Sequence, residues 1–271
     1  MTNPHLLGID FTSAPSRKKP ITVARGHLVG QVVRLEALDE LVTLHAFETA
    51  LNQEGPWLGG FDFPFGLPRA FVEAQQLGAT ADAVMIELQR RCPQRMDFRA
   101  LVDAWGGTRP AGQRLLHRVA DQAVPGISST SPLQTRYVPV GFMYFEGYSR
   151  LMRANVTAPG LRQGDPQRVA LEAYPGFLAH ELVGRRSYKN DPSDDRLIAR
   201  KDMVEALEQG RTRLGLRLKL THTQRETIVD DASGDRLDAA LCLVQAAWAA
   251  TQPRHGLPPE VDPVEGWILT A

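Results

Sequence analysis

The chain has little cysteine, no net charge and no long apolar run. Cys92 and Cys242 are its only two cysteines. They are too few for a disulfide framework and form no metal-type pair. A structural zinc is therefore not expected, and a reducing cytoplasm is the expected compartment. Lys plus Arg and Asp plus Glu both number 31, so no global positive excess marks a nucleic-acid binder. No stretch approaches the roughly 20 apolar residues of a membrane span. The opening Met-Thr-Asn-Pro-His lacks the charged and apolar layout of a signal peptide. Internal repeats and low-complexity tracts are also missing. What remains is 271 residues, 43% hydrophobic and 23% charged. That is an ordinary globular composition, long enough for one large domain or two small ones.

The most informative stretch is Leu6 to Ser13, Leu-Leu-Gly-Ile-Asp-Phe-Thr-Ser. Apolar residues on both sides of Asp10 predict a strand covered on both faces. A carboxylate buried there without a partner costs several kcal/mol, so it needs a metal, a cation or donors. Thr12, Ser13, Ala14 and Pro15 end the strand and leave Asp10 near its open end, where α/β sheets bind ligands. The alternative is an Asp that caps a turn before Thr12 and Ser13.

Ile21 to Leu28 and Gly30 to Leu38 read as two further strands of an antiparallel meander. Leu41, Leu44, Phe47, Ala50 and Leu51 predict a helix over Asp39 to Gln53. Trp57 to Phe63 is a buried strand that carries a second acid, Asp62, and Pro64, Gly66 and Pro68 end it. The order is βββαβ, with an acid near the ends of the first and fourth strands. Further on, a strand over Val169 to Tyr174 carries Glu172 before Pro175. Phe177 to Val183 and Ile198 to Leu214 are predicted helices, separated by a polar loop containing Ser187-Tyr188-Lys189-Asn190. Asp235 and Asp238 open a helix whose Leu237, Leu241, Val244 and Trp248 form one stripe. Gly266 to Leu269 reads as a short closing strand.

Between about Pro68 and Arg162 the pattern is long, mostly helical and irregular. From Ile86 to Arg162 there are eleven Arg, no Lys and five acids. Six aromatics from Trp105 to Tyr148 are interleaved with them. Arg suits bidentate phosphate contact and stacking, so Arg109 and Arg136 are candidate substrate-binding residues. The alternative is an insertion whose Arg side chains pair with acids.

Four segments thus deliver carboxylates: Asp10, Asp62, Glu172, and Asp235 with Asp238. Asp235 and Asp238 are three apart and share a helix face. Clustered acids repel unless a cation offsets them, and hard oxygen ligands suit Mg²⁺ or Mn²⁺. Each acid has a plainer alternative. Asp235 favours the helix dipole, Asp62 precedes a Pro turn, and Glu172 pairs with an Arg.

The segments Gly8-Ile9-Asp10, Phe61-Asp62-Phe63-Pro64-Phe65-Gly66-Leu67-Pro68, Leu171-Glu172-Ala173-Tyr174-Pro175 and Asp235-Arg236-Leu237-Asp238-Ala239-Ala240-Leu241 resemble a family of predicted RNase H-like nucleases, the DUF family numbered 429. The first and last also resemble Holliday-junction resolvases of the RuvC type. The resemblance implies one α/β domain over residues 1–271, an RNase H-like mixed sheet with a βββαβ core and a later strand and helix. The helical Arg-rich insertion lies at about 68–162. It also implies a Mg²⁺- or Mn²⁺-dependent nuclease with Asp10, Asp62, Glu172, Asp235 and Asp238 as catalytic residues. Asp10 would bridge two ions about 3.5–4 Å apart, and Asp238 with Asp62 or Glu172 would complete them. Asp235 would be a ligand or stand behind one. Lys189, Arg109 and Arg136 would hold the phosphates of DNA or RNA, although Lys189 also reads as a surface residue of its loop. Two other functions stay open. Asp10-Phe11-Thr12-Ser13 fits loosely the phosphate loop of actin-like phosphotransferases, but no second domain copy or Gly-rich adenosine segment accompanies it. A non-catalytic nucleic-acid-binding protein would tolerate loss of Asp10.

Overall fold

The structure, a computed structural model, describes residues 4–271. Its elements begin with β1 (His5–Asp10), β2 (Ile21–Val29), β3 (Val32–Leu41), α1 (Leu44–Leu51) and β4 (Trp57–Asp62). Next come α2 (Arg69–Ala74), α3 (Ala81–Arg91), α4 (Arg95–Gly107) and α5 (Val140–Arg153). The chain continues through β5 (Val156–Thr157), β6 (Asp165–Glu172), α6 (Pro175–Val183) and α7 (Asp194–Gln209). It closes with β7 (Arg217–Lys219), α8 (His222–Val229) and α9 (Asp235–Thr251). This is an α/β protein. It divides into two compact units. Among the described residues, the first comprises 4–62 and 173–256 with Thr270, and the second 63–172 and 257–269 with Ala271. The expected insertion, 68–162, falls inside the second unit.

In the first unit the strands lie in the order β4-β1-β2-β3-β7. β1, β2 and β3 form the antiparallel meander, and β4 runs parallel to β1 with Asp10 opposite Asp62. The two-residue turn between β2 and β3 uses Gly30 at φ +58°, a conformation that costs glycine little. Leu6, Ile9 and Phe11 are buried, as a strand covered on both faces requires. β3 runs on to Leu41, three residues into the expected helix. The reason is local: Asp39 pairs with Arg25 of β2 at 2.5 Å, and Thr43 caps α1 by accepting from the Ala46 N–H at 3.0 Å. Similarly, α7 spans Asp194–Gln209 rather than Ile198–Leu214, because Gly210 stops it at φ +69°.

α9 lies against the strands at two glycines. A Cβ on Gly8 would stand 2.1 Å from the Ala239 carbonyl oxygen, and one on Gly60 2.7 Å from that of Cys242. Gly8 and Gly60 are register partners, so β1 and β4 together make a shallow seat for the helix. The single expected stripe is too narrow a description. Ala239, Ala240, Cys242, Leu243, Ala246 and Ala247 are buried together with Leu237, Leu241 and Val244. Small residues let neighbours approach from all sides, and each large aliphatic contributes about 1.5–3 kcal/mol by leaving water.

The long segment of the second unit carries α2, α3 and α4, then α5, and closes with β5 and β6. Its core is aromatic: Phe98 stacks on Phe145 with centroids 5.6 Å apart, and Phe63, Phe65 and Tyr148 pack in series. Residues 108–139 hold only one 3₁₀ turn, Ala120–Gln122. Pro110, Gly112, Pro125 and Gly126 break any longer helix. The expected closing strand at Gly266 to Leu269 reduces to a single parallel bridge, Glu172 with Ile268. Likewise β6 covers Asp165–Glu172 and stops before Tyr174. Among the described residues no helix is long and apolar enough to cross a membrane.

Candidate metal centre

Asp10 ends β1, Asp62 ends β4, and Asp238 sits in the first turn of α9. Parallel pairing sets the first two side by side, and the glycine seat brings the start of α9 to the same end of the strands. One carboxylate oxygen from each of the three lies within 4.8 Å of the others. Asp10 is 9% exposed and Asp238 fully buried. Burial, followed by the charges of Asp238, Asp235 and Asp62, holds the Asp10 carboxyl well above its usual range, and Lys189 offsets only part of this. Asp235, three residues before Asp238 in α9, is raised by burial and drawn back first by Lys19.

The start of α9 is shaped by Asp231. Its carboxylate accepts from the Ser233 N–H and hydroxyl and from the Arg236 N–H. Asp231 therefore fastens the turn, and Gly234 precedes the helix in the left-handed region at φ +82°. A Cβ at Gly234 would stand 2.6 Å from that of Lys189. That close approach brings the 188–189 loop onto the centre. Tyr188 donates from its hydroxyl to Asp238 Oδ1 at 2.6 Å, and Lys189 from Nζ to Asp238 Oδ2 at 2.5 Å. Burial opposes the Lys189 charge, but Asp238, Asp62 and Asp10 outweigh it and raise its pKa. Tyr188 is held protonated by burial and then by Asp238. Buried Arg200 donates to the carbonyls of Tyr188 and Val229, both at 2.7 Å, and so anchors the loop.

Of the candidate acids, the structure brings together Asp10, Asp62 and Asp238, with Asp235 one helical turn away. Glu172 is outside that group. Its oxygens are taken in the second unit by Arg118, at 2.5 and 2.8 Å, and by the Phe65 N–H at 2.8 Å. This is the plainer alternative for Glu172, pairing with an Arg. Most of the arginines are also engaged within their own unit. Arg90 and Arg91 share Glu87, Arg150 pairs with Glu146 and Arg162 with Asp82. Arg136 pairs with Asp103 at 2.6 Å on the surface, and Arg109 lies over Trp105, 4.4 Å from the ring centroid. The Arg-rich composition is therefore, in large part, the internal ion pairing of this unit. Lys189 and Tyr188, by contrast, are part of the centre. From sequence, Lys189 is a phosphate holder rather than a partner of the acids, and Tyr188 has no assigned role. The one available signal is that Tyr188 adjoins Lys189 in a polar loop.

Fold and site together define an α/β protein with a buried three-carboxylate centre. Comparison of the chain with family models, with curated proteins and with solved structures found no match in any of the three.

Proposed function

We propose that the protein is a divalent-cation-dependent phosphodiesterase acting on nucleic acid, built on an RNase H-like fold. The observation that carries this reading is the convergence of Asp10, Asp62 and Asp238, from two parallel strand ends and a helix start, on one point. The meander β1-β2-β3 with β4 parallel beside β1 supports the fold assignment. The donor set fits a hard cation: three carboxylates supply oxygen ligands of the kind Mg²⁺ and Mn²⁺ take. Their mutual repulsion, which adds to burial in raising Asp10, is what a bound cation would relieve.

Asp10, Asp62 and Asp238 would hold the cation, and Asp235 would add negative charge from one turn along α9. When bound, such an ion polarises a phosphoryl oxygen and lowers the pKa of water. The remaining work falls to the chain itself. Lys189, on a loop anchored by Arg200, would meet a phosphate at the edge of the centre. Tyr188 keeps its proton and orients Asp238.

The test is cleavage of single-stranded, duplex and branched DNA and RNA with Mg²⁺ or Mn²⁺, by wild type and Asp10→Asn. Asp10→Asn keeps size and deletes charge, so activity is expected to fall at least about 100-fold, the scale of losing one preorganised electrostatic contact. Equal activity of the two proteins, or activity that survives chelation, would sink the proposal.

A further inference from the structure

Asp238 is the most deeply buried of the three acids, and both of its oxygens are already engaged. Tyr188 takes Oδ1, and the Lys189 ammonium takes Oδ2 at 2.5 Å. Being fully buried, Asp238 has no solvent-facing oxygen left to offer. Each oxygen keeps a second lone pair, but a cation that approaches Oδ2 meets the like charge of the Lys189 ammonium, so the two compete for Asp238. Tyr188 as a residue is 8% exposed, and its backbone is tied to Arg200. Lys189 is different. Its side chain is 41% exposed, so the ammonium has a path into water. Its root is fixed, because Arg196 donates to its carbonyl and Gly234 packs on its Cβ. Beyond Asp238, its ammonium meets the Tyr188 ring face at 5.5 Å. The residue therefore combines a fixed root with a four-carbon stem and a strongly hydrated head.

We propose that Lys189 is an exchangeable counter-cation: it and a divalent ion compete for Asp238, and the entering ion releases the Lys189 ammonium to the substrate phosphate. This rests on the metal-dependent reading above and deepens it. One positive charge thereby serves twice. It offsets the carboxylates so that the centre can fold, and it then becomes a phosphate ligand once the metal has taken over that task. No covalent step is involved.

The chain has five lysines, Lys18, Lys19, Lys189, Lys201 and Lys219, and all but Lys189 are exposed. A brief pulse of an acylating reagent, read residue by residue by mass spectrometry, therefore reports on Lys189 against internal standards. In wild type, Lys189 should be acylated more slowly than Lys18, Lys201 and Lys219. Adding Mn²⁺, with its binding followed by electron paramagnetic resonance, should raise the Lys189 rate several-fold and leave those three unchanged. Lys189→Gln should bind Mn²⁺ several-fold more tightly than wild type. The gain should exceed that of Lys19→Gln, which removes a nearby charge that touches no carboxylate of the trio. If wild type binds Mn²⁺ and Lys189 labelling does not change, the exchange is wrong while the proposed function stands. If neither wild type nor Lys189→Gln binds Mn²⁺, the metal-dependent function itself falls, and the exchange with it. A weaker affinity in Lys189→Gln would also overturn the exchange.

Discussion

In the first unit Lys189 pairs with Asp238 and offsets part of the charge around Asp10, while Lys19 acts on Asp235. In the second unit Asp121 and Glu172 share the buried guanidinium of Arg118, which also reaches the Glu265 carbonyl. There every strong group has a partner. Arg118 uses both terminal nitrogens on Glu172, Asp121 also accepts from the Ser129 hydroxyl at 2.7 Å, and Glu172 accepts from Phe65. The second cluster keeps one formal negative charge in excess, but its charged groups are all hydrogen-bonded, and its geometry is that of a structural staple pinning the helix-poor segment 108–139. The first is left with excess negative charge at the ends of two strands. A protein that keeps like charges together in a buried place forgoes stability there, and such unrelieved sites are where ligands bind.

Breaking each cluster should show the difference. The largest effect is expected from Arg118→Met, which leaves two buried carboxylates uncompensated and should cost about 3–5 kcal/mol. Denaturant unfolding followed by the aromatics of the second unit checks this. Adding Glu172→Gln to that variant should restore part of the loss, because one of the stranded charges disappears. A loss under about 1 kcal/mol would show that Arg118 does not staple this unit.

Gly8→Ala comes next. The added methyl would meet the Ala239 carbonyl and the Leu243 backbone, which cannot rotate away. Forced overpacking of this kind costs about 1–3 kcal/mol. It should also move Asp238 relative to Asp10, so Mn²⁺ affinity should fall with stability. Unchanged affinity would mean that the glycine seat does not set the spacing of the centre.

Asp10→Asn should act in the opposite direction on stability. Asp10 is held above its ordinary value by burial and by its acidic neighbours, so the folded state binds this proton more tightly than the unfolded one. Its favourable contribution is complete below the unfolded value and is lost as pH rises through the folded value. Without divalent ions the wild-type melting temperature should carry this decline, and Asp10→Asn should lack it and melt higher at neutral pH. Mg²⁺ should raise the wild type and leave the variant unchanged. A variant that melts clearly below wild type without metal would make Asp10 a structural group like Glu172.

The smallest effect is expected for Arg136→Ala. Its pair with Asp103 is half-exposed on both sides, and such pairs are worth about 0–1 kcal/mol. If the variant lost much more stability than this, the pairing would be part of a larger network.

The alternation of apolar and small residues around Asp10 and Asp62, and the acids opening the last helix, are local patterns. The sequence alone was enough to place these carboxylates at element ends and to make the chain α/β. Local pattern could not show which acids share a space, because that depends on register and on backbone approach. Asp10 stands beside Asp62 because β1 and β4 pair in parallel, and Asp238 joins them because Gly8 and Gly60 let α9 settle on the strands. Glu172 has the same strand-then-proline context as Asp62, yet Arg118, 54 positions away, engages both of its oxygens. Lys189 reads as an ordinary polar-loop lysine until Gly234 draws its Cβ to the start of α9. Charge pairing acts over a few ångströms in space and is indifferent to distance along the chain. The tertiary structure therefore decided which acids have partners and which stand together as a candidate centre.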